Sequence, residues 1–468
     1  MTDRVVVVGG GVAGLAAAHR LVRARPDLDL TVLEASPAAG GRLTSVPVGG
    51  LELDAGPDSF VARKPWAVDL CRELGLELVE PAASGAYVWT DRGLVPMPPI
   101  ALGVPAEVDG LVRWRGLSRL GRARALADLI RKPRRRDEEE ALGALLRRRL
   151  GNEATELLVA PLLAGLYAGD VDRLGIRSTF PELAGWERDF GGLIRGAKAA
   201  LRAAKGAGPI FLRPADGVPS LPRAIVEAIG PGRVRTGTPV TAVAAEGAGY
   251  VLRAGALEVL GNAVVVATPA FTASRLLSEV ASAASARLNE IPYVSTGVVH
   301  LVYAEGTADP LPQATGFVVP RGKAPMTAAT FLSRKWPEPS FGTRAVVRCF
   351  VGAAGFEDVL DAPDPDIVDA LCRHLAAALP LPAHPVASAV VRWPRSMPQY
   401  EIGHLERVAA IEASLPPGIF VAGNAYHGVG VADAVRGAND VAERVLTHLA
   451  GQREGRDRGM DDRTERVR

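Results

Sequence analysis

The sequence predicts an α/β protein: a discontinuous unit built on a parallel sheet, a second unit with a mixed sheet, and a helical insert. Three observations carry that prediction. The chain opens on a β-α-β pattern with a glycine-rich turn, and near its far end another apolar strand runs into a second such turn and a helix. Between them lies a leucine-patterned helical stretch with little strand signal. At 468 residues the chain is too long for one core and long enough for two or three packed units.

In order, Arg4 to Val8 is a short apolar strand, Gly9 to Gly14 a turn, and a helical pattern runs to about Ala24. A second strand, Leu28 to Leu33, ends in Glu34. Pro37 to Gly41 is a turn and Leu51 to Ala55 a third short strand. From about Ala106 to Lys205, charges such as Arg119, Arg122 and Arg124 take one helical face. Leu142, Leu145, Leu146 and Leu150 take the other. Short strands with turns at Gly237, Gly247 and Gly255 follow, and Val264-Val265-Val266-Ala267 is a fully apolar strand. Val298 to Tyr303 and Ala345 to Val351 read as strands of a second sheet, Asp366 to Leu379 as a helix, and Ile419 to Ala422 as a last strand. From Gly451 the chain is dense in both charge signs, which predicts a disordered tail. The implied units are 1–80, 212–285 and 393–450 for the parallel-sheet domain, 81–105 and 286–392 for the second sheet, 106–211 for the helices and 451–468 for the tail.

Composition removes several function classes. Hydrophobic residues at 48% and charged residues at 23% describe an ordinary soluble globular chain. A net charge of +2 gives no general attraction to nucleic acid. The run Arg131 to Arg136 is followed at once by Asp137 to Glu140, and reads as a solvated helix junction. Cys71, Cys349 and Cys372 are odd in number, share no CxxC spacing and follow no signal peptide, so a reducing cytoplasm is the expectation. The nearest approach to a membrane span, Val259 to Ser274, is interrupted by Asn262 and Pro269. At most a peripheral membrane contact is expected.

The chemistry is written in four places. Gly9-x-Gly11-x-x-Gly14 sits between strand and helix: the first glycine permits a tight turn, the second lets a pyrophosphate approach the backbone, and the third lets helix and sheet pack closely. Gly10, Val12 and Ala13 fill the same turn, and the helix start offers free N–H groups and the positive dipole end. Alone, this Rossmann-type signal fits several dinucleotides and binding proteins that merely share the fold. Glu34 closes the second strand, where its carboxylate can accept both ribose hydroxyls and repel a 2′-phosphate. Gly40-Gly41-Arg42 brings an arginine towards the pyrophosphate, and Leu53 to Ser59 forms a strand and turn suited to an isoalloxazine edge. Gly423 to Asp433 is the second glycine turn, whose helix start would face the flavin atoms that gather negative charge on reduction.

On these residues the chain resembles the flavin amine oxidase superfamily, and within it the protoporphyrinogen and coproporphyrinogen oxidases of haem synthesis. The resemblance spans Val5 to about Leu446. Its most specific parts are Leu53-Asp54-Ala55-Gly56-Pro57-Asp58-Ser59-Phe60, Gly423 to Asp433, and Val240 within Thr238-Pro239-Val240. It implies a discontinuous Rossmann-type FAD-binding domain with non-covalent FAD, a mixed-sheet substrate domain and a helical insert. The implied FAD contacts are Gly9 to Gly14, Glu34, Ala35, Arg42, Gly56, Pro57, Asp58, Ser59, Val240, Val429, Gly430 and Val431. The match is similar to the soluble form of monoderm bacteria, which acts on coproporphyrinogen III.

What the resemblance implies chemically is three two-electron oxidations, with O₂ as acceptor and H₂O₂ released. A hydride leaving a meso carbon is driven by the adjacent pyrrole nitrogen, so positioning matters more than a strong base. Accordingly no Ser-His-Asp set, metal-spaced His or Cys cluster, or paired carboxylates are found, and no catalytic or metal-binding residue is named. Four propionates call for a basic rim, for which Arg63 and Lys64 are candidates; both read equally as solvated loop charges. The family often carries further lysine here, where this chain has Pro65. Phe350 is a candidate to lie against a pyrrole, or a generic core aromatic. Ferrochelatase docking stays open. Protoporphyrinogen IX is the alternative substrate. Amine oxidation and a flavin-free binding protein of the GDP-dissociation-inhibitor kind rank below it.

Overall fold

The computed structural model describes residues 3–134, 139–206 and 208–465. Its first strand, Arg4–Val8, carries four buried valines. Successive strand residues point to opposite faces, so Val5 and Val7 enter one hydrophobic core while Val6 and Val8 enter another. A strand apolar on both faces needs cover on both, the usual setting of a parallel sheet. That sheet has five strands in the order Val234–Arg235, Asp29–Leu33, Arg4–Val8, Ala263–Val266 and Ile419–Val421, every pair parallel. Helices Val12–Ala24, Pro65–Glu73 and Ser220–Ile229 cover one face with the start of the final helix. Ala270–Leu276, Ser282–Asn289 and His404–Ala413 cover the other.

The second sheet has seven strands, in the order Ala387–Pro398, Tyr293–Val302, Val346–Val351, Ala328–Phe331, Gly316–Val318, Tyr87–Thr90 and Gly93–Pro96. It is mixed because Gly316–Val318 and Tyr87–Thr90 run parallel while its other pairs are antiparallel. Helix Asp364–Ala378 packs against it. The helical insert runs from Val108–Arg113 to Leu193–Ala203 around its own core, where Leu142, Leu145, Leu146 and Leu150 are all buried. Its one fully buried arginine among the described residues, Arg149, pairs with the buried Asp128 at 2.5 Å.

Two expectations change. The strand Ala387–Pro398 runs through the expected domain boundary at 392/393. Pro394 and Pro398 argue against a central strand, but this strand lies at the sheet edge, where a missing N–H costs little. The tail expected to be disordered from 451 instead continues the final helix, Val431–Glu465. Arg453 returns to the buried Asp3 at 2.8 Å, anchoring that extension to the start of the first strand. Residues 135–138 of the Arg131 to Glu140 junction lie outside the described residues. No helix among the described residues is long and apolar enough to cross a membrane.

Candidate cofactor and active site

The first glycine turn has the form that a phosphate cradle requires. Gly9 adopts φ +109° and donates to Leu33 O at 2.8 Å. A Cβ on Gly14 would stand 2.0 Å from Gly9 O, so the helix approaches the turn this closely only because residue 14 is glycine. Gly11, at the N-cap of Val12–Ala24, faces space with no atom within 4 Å of a Cβ position. Gly40 donates to Gly10 O at 2.8 Å, which lays Gly40-Gly41-Arg42 alongside the cradle. Burial lowers the Arg42 pKa, and no carboxylate among the described residues pairs with it. A partly desolvated cation without a partner, beside a helix start and open space, suits an anion. Val12 is half-buried and Ala13 buried at the start of that helix.

Glu34 is buried at 9% exposure and closes this cradle. One oxygen accepts from Gly10 N at 2.5 Å and the other from Ser36 N at 2.8 Å. Each keeps acceptor capacity for a hydroxyl. A Cβ on Gly10 would lie 3.0 Å from Glu34 Cβ, which explains the third glycine in the run. Thr238 donates to Glu34 O at 2.8 Å, bringing the Thr238-Pro239-Val240 segment beside the strand end; Ala35 is exposed there.

The turn from Leu53 to Ser59 is clamped to the second sheet. A Cβ on Gly56 would sit 1.8 Å from Arg42 O. Gly56 O accepts from Arg348 and Ala55 O from Trp393 at 2.9 Å, and His300 Nε2 donates to Asp54 O at 3.1 Å. The Asp58 side chain is buried against Lys335 at 2.9 Å, with Ser59 donating to it at 2.8 Å and the Arg348 guanidinium 4.0 Å away. Burial alone would raise the Asp58 pKa, but Lys335 and Arg348 outweigh it and hold the carboxyl below its ordinary range. A buried carboxylate takes the nearest cations. Gly56 and Pro57 remain available through their backbone.

The second glycine turn spans 423–430 between Ile419–Val421 and the final helix. Gly423 and Gly428 take φ +123° and +133°. Gly430 is exposed and Val429 half-buried against the helical insert's core, whereas the Val431 side chain enters the parallel-sheet core. Asp433, in the first helical turn, holds Lys64 Nζ at 2.8 Å. Lys64 is therefore not a free cation for a propionate. Pro65 starts a helix immediately after it, and a carboxylate at a helix start is already favoured by the dipole. Arg63 is exposed and has no ion-pair partner among the described residues. Phe350 is half-buried, with the Arg348 guanidinium 4.7 Å from its ring centroid.

A cavity of about 340 Å³ opens between the helical insert and the second sheet, beside Gly169, Met326, Thr327, Gly352 and Phe356. Gly352 directly follows the strand that carries Phe350, so the cavity adjoins that ring's strand. The motifs missed it, because its walls come from segments with no shared pattern. Arg348 and Tyr400 were also missed. Arg348 had a signal: a charge inside the apolar strand Val346–Val351.

These features define a class: an oxidoreductase holding a dinucleotide cofactor between a glycine cradle and a second helix start. Residues 12–446 match the family described as flavin containing amine oxidoreductase. The chain belongs to that family, and its cofactor is FAD. It is 34% identical over 464 residues to the coproporphyrinogen III oxidase of Bacillus subtilis (strain 168), covering 95% of this chain and 98% of that protein. It is 30% identical over 471 residues to the protein of the same name from Staphylococcus aureus (strain NCTC 8325 / PS 47), covering 96% and 100%. A solved structure from Exiguobacterium sp. 255-15, provisionally named protoporphyrinogen oxidase, superposes with TM-score 0.85 at 30% identity and covers 96% and 99% of the two chains.

Proposed function

We propose that this protein oxidises coproporphyrinogen III to coproporphyrin III. The observation that carries the reading is the near end-to-end match to two proteins of that name. The site agrees with it in kind: it offers an anion cradle and a cavity whose walls include Arg147 and Arg321 beside Asp170 and Asp172. Bound FAD supplies a two-electron acceptor, and three such oxidations with three O₂ give three H₂O₂. The residues' share is positional. Gly9 to Gly14 and Arg42 hold the pyrophosphate, Glu34 the ribose, and the 53–59 and 423–431 turns bracket the ring system. The substrate's own pyrrole nitrogen drives the hydride from the meso carbon, so the cavity walls orient it and exclude water.

Arg63 is the remaining candidate on the 60–65 segment for a propionate contact. The reading places the reaction in the cytoplasm, supported by three buried, unpaired cysteines, and names ferrochelatase as the partner taking the product. Protoporphyrinogen IX is the second reading, favoured by the name of the Exiguobacterium structure. Turnover of both porphyrinogens under air decides between them. A kcat/KM for coproporphyrinogen at least about tenfold higher, a difference of about 1.4 kcal/mol, is expected. Equal values, or the reverse order, would hand the assignment to protoporphyrinogen.

A further inference from the structure

Tyr400 is buried at 1% exposure, and its hydroxyl uses both of its hydrogen-bonding roles on one short segment. It donates to Asn424 O at 2.8 Å and accepts from Gly428 N at 2.7 Å, bridging the two ends of the second glycine turn. The bridge is rigid on its other side. The ring stacks on His404 at 3.8 Å between centroids and 15° between planes, and leans on Tyr167 at 5.5 Å. His404 Nε2 in turn donates to Tyr426 O at 3.3 Å, inside the same turn. The Tyr400 backbone carbonyl accepts from Gly175 N at 2.8 Å and from Ser178 Oγ at 3.3 Å, both in the helical insert.

We infer that Tyr400 is a positioning residue for the flavin: its hydroxyl fixes the 424–428 turn so that the N–H groups of Val429 to Val431 are aimed before the cofactor arrives. The inference rests on the assignment of the 423–431 turn to the flavin. The physics is preorganisation. A turn with two glycines at positive φ is costly to order, and a side chain that orders it in the apoprotein removes that cost from binding. The same contacts make the helical insert a support of the cofactor site, since Gly175, Ser178 and Tyr167 hold the residue that holds the turn. Tyr400 touches no reacting atom in this scheme.

The test compares Tyr400→Phe, which keeps the ring stack, with Tyr303→Phe, which deletes a buried hydroxyl in the second-sheet core beside Cys372, and Gly430→Val on the turn itself. Apoprotein is titrated with FAD, the visible flavin spectrum and midpoint potential are recorded, and apoprotein melting is followed. Tyr400→Phe is expected to weaken FAD binding about tenfold and to lower the potential, because fewer N–H dipoles then face the reduced flavin. Its apoprotein should melt close to Tyr303→Phe, whose FAD affinity stays at the wild-type value. Wild-type affinity, spectrum and potential in Tyr400→Phe, with Gly430→Val impaired, would overturn the positioning role while sparing the turn's assignment. If Gly430→Val also binds normally, the assignment fails, and this inference with it. Should Tyr400→Phe not fold, hydrogen exchange in wild-type apoprotein decides. Slow exchange at Gly428 to Val431 supports the inference, and exchange as fast as an exposed loop overturns it.

Discussion

Gly11 has φ −74° and ψ 174°, an extended conformation open to any residue, and nothing lies near its absent side chain. Glycine is therefore not needed there for the fold. Gly11→Val should melt like wild type yet purify colourless, because its methyls stand where the pyrophosphate approaches; full flavin content in the variant would move the phosphate site elsewhere. His404 makes a second prediction. Burial pushes its pKa down to about 4 from 6.5, and does the same to His300, to about 3. Both are neutral when folded and protonate when unfolded below pH 6.5, so their contribution is full above 6.5. It is lost as pH falls towards the folded values, each at up to about 1.4 kcal/mol per pH unit. Between pH 7 and 5 the melting temperature should fall, and His404→Gln should fall less steeply than wild type. Parallel curves would show that His404 does not carry this linkage.

At the level of elements, the turn after Leu51–Asp54 and the strand Val346–Val351 are joined by Arg348, which is 2% exposed. Arg348→Ala strips Gly56 O and Asp58 of a buried cation, and should cost about 3–5 kcal/mol in denaturant unfolding. Combining Arg348→Met with Asp58→Asn should cost less than the two single changes summed, since Asp58→Asn alone leaves Arg348 without its carboxylate and Arg348→Met alone leaves Asp58 with Lys335 only. Strict additivity would mean that the two side chains do not cooperate. The sequence announced Arg348 as an anomaly among valines but could not announce its partner, because a carbonyl 292 positions away carries no local signal. The glycines were legible for the opposite reason. Gly9, Gly14 and Gly56 answer to local geometry or close approach, and that constraint is written in the residue itself. The ion pair of Lys64 was not legible, because Asp433 comes 369 positions later.

Across the whole molecule, the two glycine turns follow strands Arg4–Val8 and Ile419–Val421 of the five-stranded sheet, while the 53–59 turn is clamped to the second sheet. FAD bound there stabilises the folded state by mass action, about 2.7 kcal/mol at a hundredfold excess over Kd. Removing it should lower the melting temperature in proportion to the logarithm of FAD added back, while a response no larger than that of Gly11→Val would show that the ligand does not bridge these segments. The β-α-β opening, the second glycine turn and the helical stretch were readable because each has a period or a fixed spacing. The edge strand Ala387–Pro398 and the helical tail were not, since prolines and dense charge argue locally against what long-range pairing allows.

The sheet order also sets a timetable. The strand Arg4–Val8 lies next to Ala263–Val266, and beyond that lies Ile419–Val421, made much later in translation. At about 5–20 residues per second, the ribosome finishes that outer strand roughly 20–80 s after the first emerges. Through that interval the valine faces of the early strands wait without their full cover. A chain cut before residue 419 lacks the edge strand and the second glycine turn, so colour is expected to appear only once residues beyond 431 have emerged from the ribosome.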